Sequence, residues 1–242
     1  MIDHACISVQ NVSKNFGKKQ VLNDISLNVQ KSEIFGLLGP SGAGKTTLVK
    51  MIAGIDTATT GTVNILGTNM PNLNVMSRMG FMAQSDALYG ELSAKENLEF
   101  FAAIYGLKGA KRKQRIQHAL ELVHLTDHLS KRVNEYSGGM KRRLSLAASL
   151  LHEPDILILD EPTVGIDPVL RKSIWVELER LCQLGTTIVL TTHVMDEADK
   201  CQRLGMIRDG RLIAVGTPRG LKQQTSAESL EDAFLTFGGA RG

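Results

Sequence analysis

Apolar and polar positions alternate over residues 7–12, Ile7-Ser8-Val9-Gln10-Asn11-Val12, and again over residues 25–29, Ile25-Ser26-Leu27-Asn28-Val29. A period of two predicts half-buried strands of an antiparallel sheet. Residues 34–38 break the rule, Ile34-Phe35-Gly36-Leu37-Leu38 being apolar at consecutive positions, and residues 156–159 and 187–190 do the same. Unbroken runs of this length suit parallel strands covered on both faces. Between Ser93 and Leu151 the spacing becomes helical, with Leu98, Phe101, Ala102 and Tyr105 in one series and Ile116, Leu120 and Val123 in another. This helical block separates the first buried run from the second, as an insertion into an α/β core would. Further on, residues 205–214 read as a hairpin turning on Asp209-Gly210.

Composition adds limits rather than direction. The chain has 242 residues, 22% charged and 43% hydrophobic, enough for one domain with a smaller lobe. A formal net charge of +3 argues against a dedicated nucleic-acid binder. Cys6, Cys182 and Cys201 are too far apart for a zinc or disulfide framework and read as reduced thiols of a reducing compartment. Residues 1–4 have neither the basic nor the apolar region of a secretory signal, and no apolar run reaches the roughly 18 residues of a membrane span. Any membrane role therefore calls for a separate spanning partner.

The chemistry starts at the end of the first buried run. Gly39-Pro40-Ser41-Gly42-Ala43-Gly44-Lys45-Thr46 has the form G-x-x-x-x-G-K-[ST]. Glycines let the chain curl so that successive N–H groups face phosphate oxygens, and a helix over residues 46–53 directs its positive end to the same place. Lys45 is placed to reach the β- and γ-phosphates, and the Thr46 hydroxyl to ligate Mg²⁺; with Thr47 they complete the nucleotide-binding stretch. A chance Gly-rich turn would lack both the preceding strand and the following helix.

The second buried run ends in Asp160-Glu161. Ligands of open α/β sheets gather at the carboxyl ends of strands. Asp160 suits a Mg²⁺ role and Glu161 the polarisation of an attacking water. Two acids that merely stop a strand at the surface are the plain alternative, and the phosphate loop upstream argues against it.

Between these motifs, Tyr136-Ser137-Gly138-Gly139-Met140-Lys141-Arg142-Arg143-Leu144 puts Ser-Gly-Gly at a helix start, where Ser can cap and open N–H groups can hold an anion. With this segment the chain resembles the ABC transporter ATPase family along nearly its whole length. The resemblance implies an α/β fold, a P-loop NTPase core with a mainly parallel sheet, an N-terminal antiparallel β subdomain and an inserted α-helical subdomain. Residues 1–85 and 153–225 form the core with its β subdomain, 86–152 the helical subdomain, and 226–242 a closing helix and tail. It also implies a head-to-tail pair of ATPase subunits, in which Ser137, Gly138 and Gly139 contact the nucleotide bound to the other copy.

The same resemblance assigns further roles. Phe16 matches the aromatic that stacks on adenine, although a core Phe at a strand end would look alike in sequence. Gln84 matches the glutamine that senses Mg²⁺ and the attacking water, Asp167 the loop at the dimer interface, and His193 the γ-phosphate switch. Lys45, Gln84, Glu161 and His193 then form the catalytic set, and Thr46, Gln84 and Asp160 the metal set. Tyr136 and Met140 stand where many members have Leu and Gln.

The runs Met140-Lys141-Arg142-Arg143-Leu144 and His193-Val194-Met195-Asp196-Glu197-Ala198-Asp199 are similar to those of drug, lipid and polysaccharide exporters. The expected cofactors are ATP and Mg²⁺. The expected partners are a second ATPase subunit, identical or paralogous, and a polytopic membrane subunit, which would place the chain at the cytoplasmic face of a membrane, with no nucleic acid. The rival is a soluble ABC ATPase of assembly, translation or repair. One phosphate loop and no coiled-coil insertion favour the transporter. Lys108, Lys111, Arg112, Lys113 and Arg115 read as a solvated face, with contact to anionic headgroups as the sharper alternative.

Overall fold

The computed structural model describes residues 5–85 and 87–239. In chain order the elements are β1 (Ile7–Phe16), β2 (Lys19–Val29), β3 (Ile34–Leu38), α1 (Lys45–Ile52), β4 (Thr60–Ile65), β5 (Thr68–Asn69), α2 (Leu73–Met76), β6 (Met79–Met82), α3 (Ala94–Ile104), α4 (Gly109–Leu122), α5 (Gly138–Leu150), β7 (Ile156–Asp160), α6 (Pro168–Gln183), β8 (Thr187–Thr192), α7 (Met195–Ala198), β9 (Arg203–Arg208), β10 (Arg211–Gly216), α8 (Pro218–Thr225) and α9 (Leu230–Phe237). They fall into two compact units, Met1–Met76 with Thr187–Gly242, and Ser77–Thr186.

The first unit has two sheets. One is antiparallel, in the order β2-β1-β4-β5, with Ile7 facing Val29 on one side and Ile65 on the other. Both β1 and β2 run further than the alternation predicts. The reason lies at Asn11 and Asp24, whose φ values of 48° and 54° mark irregularities in the ladder. There the Asn11 amide donates to Asp24 Oδ1 at 3.0 Å, the Asn11 N–H to Ser26 Oγ at 2.9 Å and the Asp24 N–H to Ser13 Oγ at 3.0 Å. A bulge inserts residues without ending the pairing, so the period of two is lost while the strand continues.

The other sheet of this unit has the order β10-β9-β3-β8. The central strand β3 runs parallel to both neighbours, Ile34 facing Ile188 and Phe35 facing Arg203. Every residue of β3 and of β8 is buried. Burial of Ile34, Phe35, Leu37 and Leu38 contributes about 1.5–3 kcal/mol per side chain. The β9–β10 hairpin turns on Asp209 and Gly210 with φ of 49° and 72°, the left-handed pair that an Asp-Gly turn provides. At the C-terminal end, Ser229 caps α9 by accepting from the Asp232 N–H at 3.1 Å.

In the second unit β6 and β7 pair in parallel, Met82 facing Leu159. The helices α3, α4 and α5 pack on one another through Leu98, Ala102, Ile116, Leu120, Leu144 and Leu146. A reciprocal capping box fixes the start of α3, with the Glu96 N–H donating to Ser93 Oγ and the Ser93 N–H to Glu96 Oε2 at 2.7 Å. The basic run lies on α4 and its N-cap. Two of its members are engaged locally. Arg115 donates to the Leu150 and Leu151 carbonyls at the end of α5, at 2.8 and 3.0 Å, and both Arg115 and Lys111 pair with Glu153. Cys6, Cys182 and Cys201 are buried, and burial pushes the Cys201 thiol far up.

Candidate active site

The residues singled out by sequence fall into two groups. Phe16, Gly39 to Thr47 and His193 belong to the first unit; Gln84, Ser137 to Gly139, Asp160, Glu161 and Asp167 belong to the second.

In the first unit the loop leaves β3 at Gly39, and its shape follows from two glycines. A Cβ on Gly39 would stand 2.2 Å from the Ile207 carbonyl oxygen of β9, so no side chain fits there. Gly44 takes φ of 103°, which turns the chain directly into α1. The loop is braced from several sides: Gly39 N–H donates to the Thr192 carbonyl of β8 at 3.4 Å, Ala43 N–H to Pro40 at 3.2 Å, and Gly210 N–H, from the β9–β10 turn, to Ala43 at 3.2 Å. No side chain caps α1, which leaves its first-turn N–H groups directed out of the helix end. Lys45 is only 5% exposed and its ammonium lies across the loop, donating to Gly39 O at 2.7 Å and Pro40 O at 3.0 Å.

Phe16 ends β1 and is 53% exposed, which excludes the core role open to it in sequence. The Lys14 ammonium lies 4.9 Å from its ring centroid and also pairs with Asp56 at 2.5 Å, a bond that holds the Asp56 carboxyl below the usual range. His193 follows β8 and is exposed. The residue before it is anchored: Thr192 Oγ1 donates to the buried Glu197 carboxylate at 2.8 Å and accepts from the Val194 N–H at 2.9 Å.

In the second unit the parallel pairing of β6 and β7 ends both strands at one edge, so Gln84 and the Asp160-Glu161 pair emerge together. Asp160 is 0% exposed. Glu161 is partly exposed and has φ of 53°, a left-handed backbone that a side chain adopts only under constraint. Ser137 is the N-cap of α5, accepting from the Met140 N–H at 3.2 Å. Gly138 has open space where a Cβ would be, while a Cβ on Gly139 would meet the Gly165 carbonyl at 2.9 Å. Asp167 caps α6, accepting from the Leu170 N–H at 3.0 Å. The departure at Tyr136 also has a structural use, since its buried hydroxyl donates to the His128 carbonyl at 2.8 Å.

One residue of this region was not singled out. Arg142 is 6% exposed and sends its guanidinium to the carbonyls of Ala83, Gln84, Asp160 and Glu161. Its place four residues before Leu146, on the inward stripe of α5, was the available signal.

Taken by itself, the first unit offers N–H groups, an ammonium and the Thr46 hydroxyl, donors that suit phosphate. The second, by itself, offers a buried carboxylate and an amide oxygen, acceptors that suit a hard cation. Mg²⁺ takes oxygen ligands, keeps several waters and needs few protein donors.

Comparison with known proteins supplies the context. A family model described as "ABC transporter" matches residues 22–164. The chain is 41% identical over 236 residues to the probable multidrug ABC transporter ATP-binding protein YbhF of Escherichia coli, covering 95% of this chain and 41% of that protein. It thus spans about two fifths of that relative's length. It is 43% identical over 220 residues to the Nod factor export ATP-binding protein I of Paraburkholderia xenovorans, covering 90% of this chain and 72% of that one. Among solved structures, a dimeric ATP-binding cassette in a post-hydrolysis state with ADP and Pi superposes with a TM-score of 0.80 at 27% identity, covering 87% of this chain and 98% of the other.

Proposed function

The chain belongs to the ABC transporter family of ATP-binding proteins, and from that premise we propose that it hydrolyses Mg-ATP as one of a head-to-tail pair of subunits, driving export through a separate membrane subunit. The observation that carries the hydrolytic reading is the end of β7, where Asp160 is fully buried and Glu161 follows it on a left-handed backbone, at the same edge of the parallel β6–β7 pair from which Gln84 continues.

In this mechanism the backbone N–H groups of Ser41, Gly42 and Gly44 to Thr47, with the Lys45 ammonium, hold the β- and γ-phosphates, and Phe16 stacks on adenine. Thr46, Asp160 and Gln84 are the residues that would hold the cation, which when bound would neutralise charge on the phosphate oxygens. Glu161 accepts a proton from water as its oxygen attacks the γ-phosphorus in line. The bond from that phosphorus to the β,γ-bridging oxygen breaks, giving ADP and inorganic phosphate. His193, set by the Thr192–Glu197 bond, contacts the γ-phosphate. Ser137, Gly138 and Gly139 of one copy close on the nucleotide of the other, with Asp167 at the crossing. The relative solved as a dimer with ADP and Pi supports this pairing.

No helix among the described residues is long and apolar enough to cross a membrane. An apolar patch on the second unit supports a protein partner there: Tyr89, Phe100 and Ile104 are exposed, the first two packed edge to face at 4.7 Å. A polytopic membrane subunit seated on it would place the chain at the cytoplasmic face. Glu161→Gln tests the centre of the reading. ATP affinity should persist, hydrolysis should fall by about 10²–10⁴, and the dimer should persist in ATP. Normal turnover in that variant would remove Glu161 as the base. Isolation from native membranes with a soluble partner instead of a polytopic one would favour the non-transport reading.

A further inference from the structure

The guanidinium of Arg142 joins two segments far apart in sequence. Nη1 donates to the Ala83 carbonyl at 2.7 Å and the Gln84 carbonyl at 2.8 Å; Nη2 donates to the Glu161 carbonyl at 2.6 Å and to that of Asp160. These are the residues that follow β6 and end β7. The Arg142 backbone lies in α5, five residues after the Ser137 N-cap. A single side chain therefore connects the Ser-Gly-Gly helix to the turns that carry both Gln84 and Glu161.

We propose that Arg142 is a positioning residue for hydrolysis, its guanidinium fixing the two turns that present Gln84 and Glu161 and tying them to the start of α5. The inference rests on the reading of Glu161 as the base. Three physical points carry it. A buried cation needs strong acceptors, and bonds from a charged donor are about twice as strong as neutral ones. The planar fork of arginine offers two terminal nitrogens at a fixed separation, so it spans two chain segments where a lysine would serve one. Finally, Glu161 has φ of 53°, a conformation that persists only where surroundings hold it, and one of the Arg142 bonds goes to the carbonyl of that same residue. Neighbouring Arg143 does something else, its Nη1 meeting the Val123 and His124 carbonyls after α4.

The consequence is a link between the signature helix and chemistry. Movement of Ser137 and Gly138 toward a nucleotide on the opposite copy would carry Arg142, and with it the two turns.

The test uses the full chain with Arg142→Gln and Arg142→Lys, measuring hydrolysis per bound nucleotide, ATP affinity and binding stoichiometry. Arg142→Gln should lower the rate per bound nucleotide by about ten- to a hundred-fold, the scale of a misplaced catalytic group. Affinity should stay within about two-fold, because the phosphate loop is untouched, and Arg142→Lys should recover part of the rate. In a Glu161→Gln background Arg142→Gln should add no further loss, as expected of groups acting together. A wild-type rate per bound nucleotide in both Arg142 variants would overturn the proposal. So would reduced stoichiometry with an unchanged rate per bound nucleotide, the signature of a purely structural role. Normal hydrolysis by Glu161→Gln alone would instead mean that the base assignment has failed.

Discussion

The phosphate loop of the first unit and the strand ends of the second are built by different means. The loop is made of consecutive residues whose own backbone would do the binding in the proposed function, and its supports are main-chain bonds from β8 and the β9–β10 turn. The strand ends have separate chain segments, at residues 83–84 and 160–161, brought into register by parallel pairing and joined through one arginine side chain. A site of the first kind depends on the absence of side chains, as at Gly39. One of the second kind depends on the presence of a particular side chain.

Substitutions can break that contrast or sharpen it. Lys45→Ala should have the largest effect on the loop. Losing charge-assisted bonds of about 1.5–3 kcal/mol weakens ATP binding roughly ten- to a hundred-fold, checked by equilibrium binding. If Lys45→Ala instead slowed turnover at unchanged affinity, the division of labour between the loop and the strand ends would be wrong. Gly39→Ala should act through sterics. The added methyl meets the Ile207 carbonyl at 2.2 Å, and overpacking of this kind costs about 1–3 kcal/mol, lowering Tm by roughly 2–12 °C in a thermal scan. Retained stability would show that β9 moves aside easily.

The smallest expected effect is in the second unit, away from the acids. His152 stacks on Tyr105 with centroids 3.6 Å apart, and its Nε2 lies 3.1 Å from the Met79 carbonyl. Burial, the largest influence, holds its pKa below the ordinary histidine value. The unfolded chain then takes up the proton more readily than the folded one. The stabilisation is complete above about pH 6.5 and is lost as pH falls through the depressed folded value. His152→Phe should keep the ring stack and flatten the fall in Tm between about pH 7 and pH 5. An unchanged pH profile would assign that acid sensitivity to other groups.

The same contrast explains what could be read from sequence. The apolar runs of β3, β7 and β8 are legible because burial on both faces leaves no room for polar residues. Gly39 to Thr46 is legible because spacing, loop shape and chemistry are set within eight consecutive positions. Less was visible where geometry depends on distant partners. The bulge at Asn11 conceals the second half of β1, and β4 opens on Thr60-Gly61-Thr62, too polar and too Gly-rich to mark a strand. Lys141, Arg142 and Arg143 look equivalent in a list of charges. Spacing from Leu146 marks Arg142 as inward, but only the fold shows that its partners are the two strand ends.

The β9–β10 turn has a consequence for engineering. Tips of hairpins that look like this one in sequence are ordinary places to insert a tag or open new termini. Here Gly210 is buried, its N–H holds the Ala43 carbonyl, its carbonyl accepts from Asn23 N–H at 2.8 Å, and a Cβ would lie 2.3 Å from the Val21 oxygen. A graft at Asp209-Gly210 would reach the phosphate loop through its backing. Circular permutants and reporter fusions of this chain are better opened elsewhere, such as at the exposed turn around Gly106 and Lys108, where the space about Gly106 is open.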